Sequence, residues 1–467
     1  MNKLIRIGLA VGALALTTQC RAAAPSEVIF CFDTEDFTCR RNADGIVTLA
    51  KICEDEGIKG HFMVVGYLAD QLVKWGRQDA IDAIRRHYIG FHTLRHTLHP
   101  NILEISDDED WEVSYRKLAE MENEGLEIVR RVFPGMTLWT SCPPGPSDSY
   151  IANRYYADQG FRMDLGASWL PDDLPDMWYC GLRRIPYVFS LEEFFPGGPW
   201  EDWDSPEQKR KLLDKLSGMR RFVIYAHPNR VHSNEYFDAI NYNRANTYAW
   251  GEWQQPTPRD PAVVERWIRR VHEFIGLLKA DPRFWITSLP EVMATEKPRV
   301  PITPDNLPGI RASLERDFGP VREPANWSVA EIFVAVTHFL DGGKVYMPGD
   351  VGGFLEKPVG IAEPCAVSRT DVVRAAKALK IGRYLPTRID IGGRTVGPAD
   401  YLFAALKVLT TDAETVTLAP REQLGSFRAF PKLEKCARAG KWLYWPEYKD
   451  RYTCDRMRWQ LWTFRYE

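Results

Sequence analysis

Residues 27–66 read EVIFCFDTEDFTCRRNADGIVTLAKICEDEGIKGHFMVVG, and their pattern decides the fold. The apolar run EVIFCFD has the composition of a strand. GIVTLAKICEDEG follows with Ile46, Leu49, Ile52 and Cys53 at helical spacing, and IKGHFMVVG is strand-like again. Strand, helix and strand in this order make a βαβ unit, with parallel strands because the helix carries the chain back to the starting edge.

The unit repeats outward. LADQLVKWGRQDAIDAIRRH (68–87) reads as a helix, YIGFH (88–92) as a strand and DWEVSYRKLAEMENEGLEIVRRV (110–132) as a helix. TLWTSC, FRMDLG, RRFVIYAH and RFWITS read as further strands, separated by helical SYIANRYYADQG, EQKRKLLDKLSG and PAVVERWIRRVHEFIGLLKAD. Alternation repeated about seven times places residues 26–295 in the α/β class, as a distorted (β/α) barrel of about seven strands with function on the loops leaving the C-terminal strand ends. The proline-rich LPEVMATEKPRVPITPDNLPG (289–309) breaks the pattern, and 296–309 reads as a linker. Residues 310–467 read as a smaller, mostly helical α+β accessory domain, with helices in SVAEIFVAVTHFL, SRTDVVRAAKAL and GPADYLFAALKVL.

Composition narrows the partners. A net charge of −3 with scattered basic residues gives no footprint for nucleic acid. Residues 1–24 read as a signal peptide: MNKLIR is basic, IGLAVGALAL is apolar but short for a membrane span, and CRAAAP offers small residues for cleavage. The expectation is an exported protein, periplasmic or extracellular, without a transmembrane segment. A lipid anchor on Cys20 is the weaker reading, because Thr17 stands where an aliphatic residue is wanted and Gln19 is bulky. Eight cysteines then remain, in a compartment that permits disulfides and at spacings that match no zinc finger.

Titratable residues collect at three strand ends. IFCFDTED closes one strand with Asp33, Glu35 and Asp36, YIGFHTLRH closes another with His92 and His96, and FVIYAHPNR closes a third with His227. His92 and His96 are four apart, so one helical turn after the strand puts both imidazoles on one side. A carboxylate from the first strand completes a two-histidine, one-carboxylate site for a divalent ion, zinc by ligand type, with cobalt or manganese also suited. A second carboxylate as base and His227 as acid then complete a hydrolytic set for an amide or ester.

These pieces, in this order, resemble the polysaccharide deacetylases of carbohydrate esterase family 4. FCFDTED is similar to that family's first motif, GHFMVVG to its second strand, IGFHTLRH to its His-(Ser/Thr)-x-x-His metal motif and VIYAHP to its late histidine strand. The resemblance implies Asp33 as general base, Glu35, His92 and His96 as metal ligands and His227 as general acid; Asp36 is the alternative acidic ligand. Asp33 and Glu35 share a face if the strand continues through them. His99, followed by Pro100, reads as a supporting residue. MDLGASW stands for the fourth motif, with Asp164 orienting a catalytic partner and Trp169 walling the pocket. The third motif's arginine and tyrosine are not in place in TSCPPGPSDSY, so oxyanion donation falls to a backbone N–H near Gly145.

The implied activity is metal-dependent removal of N-acetyl groups from a carbohydrate of the cell wall or an extracellular glycan. Two alternatives stay open: a catalytically silent glycan-binding protein, or a metal-dependent hydrolase of another C–N bond, in a cyclic amide or ureide. The loop after His227 carries Tyr236, Phe237, Tyr242, Tyr248, Trp250 and Trp253, which suit stacking on sugars or a small core of the loop itself. Residues 367–409 bear a weaker likeness to pseudomurein-binding repeats, which implies glycan binding by the accessory domain.

Overall fold

The computed structural model describes residues 24–145, 149–166, 177–242, 248–425 and 451–466. Its first unit is β1 (Ser26–Thr34), α1 (Ala43–Asp55) and β2 (Gly60–Val64), with Phe32 paired to Phe62 and Asp33 to Met63 in parallel register. β3 (Tyr88–Phe91), β4 (Thr140–Ser141) and β5 (Met163–Leu165) continue the parallel set. β6 (Met177–Tyr179) and β7 (Leu182–Ile185) form an antiparallel hairpin, and β7 pairs with β5. After Pro186 the same segment continues as β8 (Tyr187–Ser190), parallel to β9 (Arg221–Ala226), which lies beside β1. One broken segment therefore joins both ends of the parallel set, and the sheet curls into a distorted barrel. β10 (Phe284–Ile286) pairs with the start of β1.

All seven expected strands are present and mutually parallel. Alternation along β1 sorts its side chains. Val28, Phe30 and Phe32 pack outward against the helices, while Ile29 and Cys31 join Met63, Cys142, Met163, Leu165, Ile185 and Val223 in the barrel interior. Phe30, Phe32 and Phe62 are essentially unexposed; each contributes about 1.5–3 kcal/mol by burial. The parity that sends Ile29 and Cys31 inward also carries Asp33 toward the mouth, and Glu35 follows just beyond the end of β1.

The helix expected over 68–87 is two helices, α2 (Gly66–Lys74) and α3 (Gln78–Arg85). Gly76 separates them at φ 64°, a left-handed position that ends a helix with little strain only for glycine. α4 (Ile102–Ser106) and α5 (Trp111–Val132) follow; Asp110 caps α5 by accepting from the Glu112 and Val113 amides.

Within the proline-rich stretch, Leu289–Ala294 is a helix whose Leu289 and Val292 fill the barrel interior. A second core spans Ile302 to Leu418 around the helices Val329–Leu340, Arg369–Ala378 and Pro398–Thr410, with two small antiparallel strand pairs. The C-terminal residues then return to the barrel. Asp107 accepts the amides of Arg451, Tyr452 and Thr453 at 2.7–3.1 Å, and strand Arg465–Tyr466 pairs with β6. Met457, Leu461 and Phe464 enter the barrel's core, while Trp462 enters the second one. Among the described residues no helix is long and apolar enough to cross a membrane. Cys31, Cys39, Cys53, Cys142 and Cys365 are free thiols, and Cys436 and residues 1–23 of the expected signal segment lie outside the described residues.

Candidate metal centre and acid–base pair

Glu35, His92 and His96 converge at the barrel mouth, with one ligand atom from each inside a 4.8 Å span and all three side chains buried. Glu35 Oε2 lies 3.4 Å from His92 Nε2 and 2.8 Å from His96 Nε2. The imidazoles meet through a tight turn, not through the expected helical turn: Thr93 and His96 both hold positive φ, at 65° and 54°. Such backbone is costly for a non-glycine residue and persists where the surroundings enforce it. Two glycines let the surroundings close in. A Cβ on Gly125 would lie 2.9 Å from Leu94 Cα, and one on Gly66 would lie 2.9 Å from Gly125 Cα.

Hydrogen bonds set the orientation of each ring. His92 Nδ1–H donates to the Cys142 carbonyl at 2.5 Å, which leaves Nε2 as the lone-pair nitrogen facing Glu35. That Nε2 is buried and has no hydrogen-bond partner among the described residues. A lone pair and a carboxylate oxygen facing each other call for a cation between them, so the donor set fits a divalent ion with open coordination positions. His96 has Asp238 Oδ2 3.8 Å from its Nδ1. Burial disfavours a charged His96 ring, but Glu35 and Asp238 outweigh it and raise its pKa. Burial likewise works against the Glu35 carboxylate, yet His96 and His227 hold it below the usual carboxylate range.

Asp33 and His227 form the second half of the site, with Asp33 Oδ2 3.6 Å from His227 Nε2. Tyr187 Oη–H donates to Asp33 Oδ1 at 2.6 Å, so one carboxylate oxygen is engaged and the other faces the histidine. His227 Nδ1–H donates to Glu192 Oε1 at 2.6 Å, and the same oxygen accepts the His227 backbone N–H at 3.0 Å. Tyr236 Oη–H donates to the other Glu192 oxygen at 2.8 Å. Burial opposes the charged ring, but Glu192, Glu35 and Asp33 together raise the His227 pKa to about 10.

The remaining expected residues lie apart from this convergence. Asp36 caps the turn after β1: its Oδ1 accepts from Thr38 N, Thr38 Oγ1 and Cys39 N at 2.7–3.1 Å, and its Oδ2 from Asn42 Nδ2. Those four bonds occupy the carboxylate. His99 Nδ1 contacts both Glu104 oxygens at 2.7–2.8 Å and belongs to neither ligand group. Asp164 accepts from Ser141 Oγ at 2.8 Å and pairs with the buried Arg184 guanidinium. Gly145 is exposed, with φ 52°, in the turn after β4. Trp169 lies outside the described residues. Of the loop aromatics, Phe237, Tyr242, Trp250 and Trp253 pack around Phe37 with ring centroids 5.5–6.3 Å away, so they largely serve the loop's own core. Tyr248 and Trp250 keep exposed faces.

Glu192, Tyr187, Asp238 and Cys142 were not singled out from the sequence. Glu192 and Tyr187 depend on β8, whose segment MWYCGLRRIPYVFS hides its strands behind two consecutive arginines and a proline. Had YVFS been read as a strand, the acidic LEEF at its C-terminal end would have marked a fourth strand-end cluster.

No protein-family model matches the chain and no curated protein matches it, so glycan binding by residues 310–467 gains no support there. Among solved structures the chain is similar to a protein assigned as a polysaccharide deacetylase from Mycobacterium smegmatis, at 18% identity and TM-score 0.39, covering 58% of this chain and 93% of that one. It is also similar to a family 4 carbohydrate esterase from Streptomyces lividans in complex with acetate, at 10% identity and TM-score 0.30, over 56% and 93% of the two chains. A 4-alpha-glucanotransferase from Thermococcus litoralis matches at 10% identity and TM-score 0.39, over 59% and 41%. At such scores the likenesses carry no chemistry, which rests on the side chains themselves.

Proposed function

We propose that this protein is a metal-dependent hydrolase that removes acetyl groups from an N-acetylated carbohydrate. The observation that carries the reading is the meeting of two sets at one barrel mouth: Glu35, His92 and His96 as ligands, and Asp33 beside His227 as base and acid. When bound, a divalent ion supplies Lewis acidity toward a carbonyl oxygen and makes a water more acidic. Asp33 takes a proton on Oδ2, the oxygen that Tyr187 leaves open. His227, held protonated by Glu192, returns one from Nε2 to the departing amine. The carbohydrate part of the reading is supported by the ordered motif resemblance and by the exposed faces of Tyr248 and Trp250 on the loop after His227.

Purified full-length protein loaded with zinc, cobalt or manganese, assayed for acetate release from a panel of acetylated glycans, tests the proposal. Acetate release that stops with a chelator and returns with metal is the expected result. Glycan retention without acetate release under every metal would overturn it in favour of a binding protein. Turnover of cyclic amides or ureides alone would move the reaction to another C–N bond.

A further inference from the structure

A second set of donor atoms shares one histidine with the proposed centre. Asp33, His92 and Cys142 each place a ligand atom within 4.8 Å of the others, and all three are buried. Cys142 Sγ lies 3.8 Å from Asp33 Oδ1, and its thiol is free. Tyr187 Oη touches both, at 2.6 Å from Asp33 Oδ1 and 3.2 Å from Cys142 Sγ, so the carboxylate and the sulfur are held side by side. His92 brings a buried ring to the cluster, and its Nε2 lacks a hydrogen-bond partner among the described residues.

The two sets differ in softness. Glu35, His92 and His96 offer one oxygen and two nitrogens, whereas Asp33, His92 and Cys142 exchange one nitrogen for sulfur. Borderline ions suit the first set and thiophilic ions the second. With Nδ1 committed to the Cys142 carbonyl, His92 has one nitrogen to give, and one nitrogen serves one ion at a time.

We infer that the barrel mouth holds a second, mutually exclusive cation seat, formed by Asp33, His92 and Cys142, that captures thiophilic divalent ions such as cadmium. Binding forms a metal–sulfur bond and releases the thiol proton to solvent, with no change of oxidation state. An ion in this seat draws His92 from the first set and coordinates Asp33. If Asp33 is the base, as the proposed function has it, such ions inhibit by occupying the reacting carboxylate.

Cadmium titration of the metal-free full chain, followed by the ultraviolet thiolate-to-metal absorption band and by bound-metal analysis, tests the seat without reference to turnover. The expected result is a band that saturates at one cadmium per chain, is lost in both Cys142→Ser and Cys142→Ala, and survives in His96→Ala and Cys31→Ser. Cys31 is the control because its Sγ lies 3.0 Å from Tyr187 Oη yet outside the donor group. Circular dichroism matching the parent secures the folding of each variant. A band that persists in the Cys142 variants, or that disappears in Cys31→Ser, would overturn the inference. Absence of acetate release with a Cys142-dependent band would sink the proposed function alone.

Discussion

His92 and His227 differ in the partner of Nδ1. His92 gives its Nδ1–H to a neutral backbone carbonyl, so its far nitrogen stays a lone-pair donor. His227 gives its Nδ1–H to the Glu192 carboxylate, so its ring stays charged and its far nitrogen can release a proton. Under the proposed function the same side chain serves as a ligand on one wall of the barrel and as an acid on the other. A carboxylate near Nδ1 does not by itself exclude ligation, since His96 faces Asp238 at 3.8 Å; what sets His227 apart is its short bond to Glu192.

Removing the ligand wall should have the largest effect. His92→Ala combined with His96→Ala is expected to weaken metal binding by more than about a hundredfold and to reduce hydrolysis to background, as read by metal analysis and acetate release. Asp33→Asn is expected to retain the ion but lower kcat by about 10²–10⁴-fold; a loss of metal instead would make Asp33 a ligand.

Glu192→Gln converts the acid toward the ligand type and should act mainly through pH. The ring of His227 is raised above the usual ~6.5 of histidine to about 10, so activity that needs its proton is lost as pH rises through the folded value. In the variant that alkaline limb should move down by about one unit or more, so the loss of kcat is small near pH 7 and reaches about fivefold or more at pH 10. The pairing's contribution to stability follows the same sign: it is fully present below the unfolded value and lost as pH rises through about 10. Urea unfolding of the parent and Glu192→Gln at pH 6 and pH 10 checks this, with the gap between them closing at the higher pH.

Tyr187→Phe removes one hydrogen bond to the base. A bond to a charged group is worth about 1.5–3 kcal/mol, so kcat should fall by at least about tenfold with KM little changed. The smallest effect on turnover is expected from Asp36→Ala. It breaks the turn after β1 and should lower stability by about 1–3 kcal/mol while metal content stays at the parental level; loss of the ion would restore Asp36 as a ligand.

The barrel was largely readable in sequence because period-2 and period-3.6 patterns alternate cleanly through α1, α5 and the seven parallel strands. The segment that joins the two ends of the set was not. Arg183 and Arg184 are fully buried in β7, against the rule that such charges stay outside, and a tertiary pairing with Asp164 offsets the cost for Arg184. In the site, parity along β1 separated Glu35 from Asp36. The positive φ values of Thr93 and His96 had no such signal, since a β-branched threonine disfavours a left-handed turn and histidine marks one only weakly. Glu192 and Asp238 stayed hidden because their contacts to the histidines cross long stretches of chain, which no local pattern encodes.

The return of the C-terminal residues to β6 has a consequence for synthesis. Thr453 meets Asp107 across 346 positions, and Arg465 and Tyr466 pair with Trp178 and Met177. Synthesis must therefore reach Arg465 and Tyr466 before that edge of the first-made sheet can be covered. Until then β6 presents open amides and carbonyls to any neighbouring strand, a hazard that the late-made residues remove.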